Sequence, residues 1–190
     1  MAVIFISGQP GTGKTSLAKE ICYGRDILLL STDDIKSFCR LSGYGGLADY
    51  DSHSAWQNFG PKNKINIIKG FNGHARIFEK IILAMIKESS RAYKNIVIEG
   101  VHVTPRLYRR VKAKKIACYL DLPGRVRHWQ MFDSKNRARG EYNIKWYENY
   151  DVIKIINNYA KERCQRAGFK IIKNRNWPKI TQNIWRQLSL

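Results

Sequence analysis

Ala2-Val3-Ile4-Phe5-Ile6-Ser7-Gly8-Gln9-Pro10-Gly11-Thr12-Gly13-Lys14-Thr15 begins with five apolar residues and runs at once into a glycine-rich turn that ends in Lys-Thr. The apolar run is short, rich in Ile and Val and uncharged, which predicts a buried strand. It lacks the charged leader of a signal peptide and the length of a membrane span, so neither is expected. Residues 8–15 match G-x-x-x-x-G-K-[ST] in the context that gives the motif meaning, after a strand and before a helix-like segment. Glycines let the chain turn so that successive N–H groups and a helix N-terminus face an anion. Gly8, Gln9, Pro10, Gly11, Thr12, Gly13, Lys14, Thr15 and Ser16 are therefore expected to bind ATP. Lys14 would reach the β- and γ-phosphates, and the Thr15 hydroxyl would sit on Mg²⁺.

Short apolar runs at 27–30, 96–98, 116–120 and 169–172 continue the pattern, separated by helix-like segments. That alternation predicts an α/β fold with a five-stranded parallel sheet and helices on both faces. Helices are expected at 14–22, 34–41, 63–91, 105–112, 125–139, 145–167 and 180–188. Thr104-Pro105 supplies a capping hydroxyl and a proline at the first helical position, and Gly168 a helix stop. Residues 42–60, with four glycines, read as a mobile connection. The 190 residues fit one domain, with 44% hydrophobic residues to fill one core.

Charge divides the chain unevenly. Lys and Arg number 34 against 15 Asp and Glu, a net +19. Residues 1–60 carry 5 basic and 6 acidic residues, 61–120 carry 14 and 3, and 121–190 carry 15 and 6. The excess lies downstream of the phosphate loop, as expected if that part meets an anionic partner. Cys22, Cys39, Cys118 and Cys164 are widely spaced with no C-x-x-C pair, which argues against a zinc site or disulfide framework and for a cytoplasmic setting.

Phosphoryl transfer asks the protein for positioning, a metal and positive charge rather than covalent chemistry. Carboxylates stand after two predicted strands, in Ser31-Thr32-Asp33-Asp34 and in Ile98-Glu99-Gly100. Ligands of an open parallel sheet bind beyond the carboxyl ends of its strands, so the phosphate loop, Asp33 and Glu99 should converge. Of the aspartates, Asp33 is expected to orient an acceptor hydroxyl, and Asp34 to cap the helix or hold a metal-bound water. Glu99 either orients Mg²⁺ through water or holds the loop.

The phosphate loop, Ser31 to Lys36, Ser54-Ala55-Trp56, Val97 to His102 and Pro105 together resemble the archaeal 2-phosphoglycerate kinases. The resemblance continues through His128 and Phe132, through Tyr147 to Tyr150, Ile153-Lys154, Ile156 and Tyr159, and through Ile171 to Asn174. It implies transfer of the ATP γ-phosphoryl group to a hydroxyl of a small phosphorylated acid. The chain departs from that pattern at Met131 and Lys135, where the family carries arginine; the two cations are not equivalent at anion sites. Over about the first 40 residues the chain also resembles the kinase domain of polynucleotide 5′-hydroxyl kinases, which would put Asp33 on the acceptor hydroxyl and Lys36 on the acceptor phosphate. Arg40, His102 and Arg127 are further candidate contacts to an anionic acceptor.

Arg125, Arg127, Lys135, Arg137 and Arg139 fall on one predicted helix and its exit, a basic lid over residues 124–141 that would exclude water and neutralise charge, with Arg137 the foremost candidate for a catalytic cation. The leading expectation is an ATP- and Mg²⁺-dependent kinase of a small anionic metabolite. A polynucleotide end kinase is the alternative, and an ATP-binding protein associated with nucleic acid but lacking an acceptor is the third. Against the third, carboxylates at both strand ends exceed what ATP binding needs. Trp146, Tyr147, Tyr150 and Tyr159 recur along a helical pattern, which favours core over base stacking.

Overall fold

The computed structural model describes residues 1–122, 124–140, 143–173 and 177–188. β1 (Ala2–Gly8) is buried at all seven positions. Its side chains alternate with period two. Val3 and Phe5 join a core on one side of the sheet, and Ala2, Ile4 and Ile6 join a separate core on the other. A strand buried on both faces needs hydrogen-bonded strands on both edges. β3 (Asn95–Gly100) and β4 (Lys114–Leu120) supply them, with β2 (Leu28–Ser31) and β5 (Lys170–Ile172) outside. The order is β2-β3-β1-β4-β5 and every pairing is parallel.

α1 (Lys14–Cys22) and α8 (Trp177–Leu188) cover one face. The other is covered by α2 (Thr32–Leu41), α3 (Lys64–Ser89), α4 (Pro105–Arg110) and α7 (Tyr150–Arg166). Three of these helices, α2, α3 and α4, begin at a side-chain cap. Asn63 accepts from the N–H of Asn66, and Thr104 from that of Leu107. Such caps contribute about 1 kcal/mol each. α5 (Arg125–Arg139) and α6 (Lys145–Glu148) pack with the start of α7 in a small third core of Phe132, Trp146 and Ile153. None of the described helices is long and apolar enough to cross a membrane.

Two expectations fail. Residues 42–60 are not a loose connection: 3-10 turns at Gly46–Asp49 and Ala55–Phe59 lie on α3, and Ser52, His53 and Ala55 are buried. The contact is close enough that a Cβ at Gly70 of α3 would stand 2.4 Å from the Trp56 nitrogen. The helix expected over 145–167 is broken at Asn149, whose side chain donates to the Lys145 carbonyl and ends α6.

Candidate active site

Strand register assembles the site. Ile6 of β1 and Ser31 of β2 both lie opposite Glu99 of β3, so the ends of three strands meet beside the phosphate loop. Gly8, Gly11 and Gly13 take positive φ, at 148°, 72° and 86°. Thr12 Oγ1 and Lys14 Nζ both donate to the Gln9 carbonyl, at 2.8 and 2.9 Å, which closes the loop on itself. At the mouth of α1, Thr15 Oγ1 donates to Glu99 Oε1 at 3.0 Å, and Glu99 is 3% exposed. The two residues expected to serve the metal are thus in contact. A hydroxyl and a carboxylate are hard oxygen donors suited to Mg²⁺, which binds through one or two protein groups plus substrate phosphates.

Beyond the loop opens a cavity of about 240 Å³ bordered by Pro10, Asp33, Asp34, Lys36, Arg40 and Lys135, with Asp51 and His53 in its wall. Four of the expected residues are therefore brought together: Asp33 and Asp34 with Lys36 and Arg40. The expected division between the aspartates is corrected in one respect. Ser31, not Asp34, is the N-cap of α2, accepting from the Asp34 N–H at 3.4 Å. Lys36 and Arg40 are held by Asp51, whose Oδ1 lies 2.7 and 3.2 Å from their nitrogens. Burial alone would raise the Asp51 carboxyl, but the Lys36 ammonium beside it prevails and holds it well below the usual carboxylate range.

His102 lies elsewhere. It is 1% exposed, joined to Thr32 and His74, and does not border the cavity, so the structure does not bring it to the other expected acceptor contacts. Burial lowers both imidazoles, so both rings are neutral near pH 7, and the direction of the chain is then determined. The Tyr50 carbonyl accepts from His74 Nε2 at 2.8 Å, His74 Nδ1 accepts from His102 Nε2 at 2.9 Å, and His102 Nδ1 accepts from the Thr32 hydroxyl at 3.2 Å. Thr32 immediately precedes Asp33. Gly100 lets it approach: a Cβ there would fall 1.7 Å from Thr32 Oγ1.

This chain makes the fold acid-sensitive. Unfolded histidine takes up a proton near pH 6.5, whereas folded His74 stays neutral down to about 4. Between those values the unfolded chain holds more protons, so stability falls as pH drops through the window. His74 alone is expected to cost about 2 kcal/mol between pH 7 and pH 5. Thermal melts should show the fall in Tm, and equal stability at the two pH values would contradict the assignment.

The basic helix lies on the phosphate loop. His128 Nε2 donates to the Pro10 carbonyl at 2.7 Å, and Phe132 is fully buried between His128 and Trp146. A Cβ at Gly11 would stand 2.6 Å from the Phe132 ring and 2.9 Å from His128 Nε2. Arg127 and Arg137 are exposed and do not border the cavity; Lys135 does, with its ammonium 4.6 Å from the Trp146 ring centroid. Arg137, expected to reach the reacting phosphate, thus points elsewhere than this cavity, whereas Lys135 borders it because it shares the inward side of the helix with His128 and Phe132. The side chain of Arg139, together with Glu141 and Asn174, lies outside the described residues. Sequence reasoning missed Asp51, His53 and His74. No motif spacing marks them; a lone acid in a glycine-rich stretch opposite two cations was the available signal.

A phosphate loop closing the central strand of a parallel 2-3-1-4-5 sheet, with carboxylates at the neighbouring strand ends and a helix laid over the loop, defines the class: the α/β fold of P-loop kinases. Shikimate kinase from Acinetobacter baumannii, solved with shikimate, shares this fold at a TM-score of 0.50 and 13% identity, matched over 99% of this chain and 92% of that one. In sequence the chain is similar to archaeal 2-phosphoglycerate kinases. It is 24% identical over 179 residues to the Methanocaldococcus jannaschii protein, covering 90% of this chain and 58% of the relative. It is also 31% identical over 110 residues to mevalonate-3-phosphate 5-kinase of Thermoplasma acidophilum, covering 54% of this chain and 52% of that one. The chain thus spans less than two thirds of the length of these relatives. No family model matches it.

Proposed function

We propose that this chain is an ATP- and Mg²⁺-dependent kinase that transfers the γ-phosphoryl group to a hydroxyl of a small anionic metabolite. The observation that carries the reading is the pairing of Thr15 with Glu99 at the phosphate loop, beside a cavity that holds both Asp33 and Lys36. Residues 8–16 bind the nucleotide, and Thr15 and Glu99 hold Mg²⁺, which supplies charge neutralisation at the phosphates when bound. Asp33 accepts a hydrogen bond from the acceptor hydroxyl and aligns it. Lys36, Arg40 and Lys135 attract the acceptor's anionic groups. His53 adds selectivity: it is 3% exposed, and its Nδ1 has no hydrogen-bond partner among the described residues. Burial lowers the imidazole, so a neutral ring offers this nitrogen to the acceptor. α5 excludes water above the loop.

The preferred acceptor is 2-phosphoglycerate or a close analogue, supported by similarity along 90% of the chain. The domain runs over residues 1–190 with residues 124–141 as its lid. The setting is the cytoplasm, in keeping with four free cysteines, of which Cys118 and Cys164 have thiols pushed up to about 12 by burial. The polynucleotide reading rests on the net +19 and the first 40 residues. Labelled ATP offered with phosphorylated hydroxy acids and with 5′-hydroxyl oligonucleotides separates the two. A small acid held in a closed pocket should show a KM that depends weakly on salt. A single-stranded polynucleotide should lose affinity with a slope of about −0.7 per neutralised phosphate on logarithmic axes. Phosphorylation of the oligonucleotide with a steep slope, and of no small acid, would overturn the proposal.

A further inference from the structure

A second cavity, of about 250 Å³, opens between α3, α4 and α7 on the face of the sheet that these helices cover. Its floor is apolar, with Phe71, Ala75 and Val103. Its rim is not: Arg76, Arg106, Arg109 and Arg163 surround it, against a single carboxylate, Glu79. That carboxylate is already committed. Arg106 Nε lies 2.9 Å from one of its oxygens, and Arg110 Nη1 2.6 Å from the other. Arg163 is fixed as well, donating to the Tyr159 hydroxyl at 2.8 Å and lying 5.4 Å from the centre of that ring. Arg76 and Arg109 make no hydrogen bond or ion pair with any described residue.

Like charges gathered at one mouth repel, and guanidiniums in particular match phosphate in bidentate geometry. We infer that this cavity is a second binding site, for a small phosphorylated metabolite whose phosphate is clamped by Arg76 and Arg109 while its carbon body rests on the apolar floor. The size selects a metabolite over a polymer, since the volume lies just below the roughly 300–1,000 Å³ of drug-sized clefts. The ligand here is not the acceptor. None of residues 8–15 and neither Asp33 nor Asp34 borders this cavity, so a phosphate held in it is not presented to the phosphate loop. Yet Val101 borders both cavities, and Ser7 in the wall of this one precedes Gly8, so the two sites share a partition.

Inorganic pyrophosphate is a suitable probe, titrated calorimetrically into the full chain. Two sites are expected: one weakened by Lys14→Ala, the other weakened at least tenfold by the double substitution Arg76→Ala, Arg109→Ala. The double substitution Lys87→Ala, Lys94→Ala removes equal charge from exposed positions outside both cavities and should leave both sites intact. If the arginine variant fails to fold, Arg163→Ala removes a guanidinium from the opposite wall and should weaken the same site. A single site in the unaltered protein, a second site that survives the arginine substitutions, or one lost equally in the lysine control would each overturn the inference. So would displacement of pyrophosphate from that site by a 5′-phosphorylated oligonucleotide with a steep salt slope, which would mark a nucleic-acid surface instead.

Discussion

Replacing Lys14 with alanine is expected to lower turnover by about 10²-fold or more while the fold survives. Lys14 is 7% exposed, and the hydrogen bond of its ammonium to the Gln9 carbonyl is local to the loop, so its loss should leave the sheet and its two flanking cores in place. What disappears is a fixed positive charge where negative charge gathers on the transferring group. Such a charge is more effective in a water-poor site than in bulk solvent, because nothing must reorganise when the reaction occurs. The check is steady-state phosphoryl transfer by a variant whose thermal melt matches the parent. Full turnover in that folded variant would remove the phosphate loop from the reaction.

Asp33→Asn should reduce kcat by about 10²–10³-fold with ATP affinity changed little. The amide keeps the shape of the carboxylate but cannot accept a proton, so an effect confined to kcat would place Asp33 at the acceptor rather than at the nucleotide. Its position supports this: Ser31 provides the cap, and Thr32, tied to His102 and pressed against Gly100, fixes the start of α2 one residue before Asp33. Parallel measurement of Asp34→Asn supplies the control. An active Asp33→Asn beside an inactive Asp34→Asn would exchange the two roles.

Much of this architecture was legible in the residues themselves. The five apolar runs became the five strands, and α1 and α5 have the expected limits, because period and punctuation are local properties that survive folding unchanged. The candidate site was legible where chemistry follows a strand end, as at Lys14, Thr15, Asp33 and Glu99. It was not legible where a partner comes from far along the chain. Asp51 meets Lys36 and Arg40 only after residues 42–60 fold back on α3, and the chain from Thr32 to Tyr50 depends on two histidines 28 residues apart. Whether Lys135 or Arg137 borders the cavity depends on helix phase against the loop. Sequence fixes relative phase along α5, but the face turned inward is set by Phe132 finding its pocket.

Gly11 occupies one of the positions that the phosphate-loop pattern leaves open to any residue. In this chain it is closed by a helix more than a hundred positions away. A side chain at 11 competes for one volume with the aromatic ring at 132 and the imidazole at 128, so these positions are coupled: a relative that carries a larger residue in the loop must have changed both rings, or lifted the helix. Joint variation at these three positions would report, in any collection of related sequences, which chains keep the helix seated on the loop.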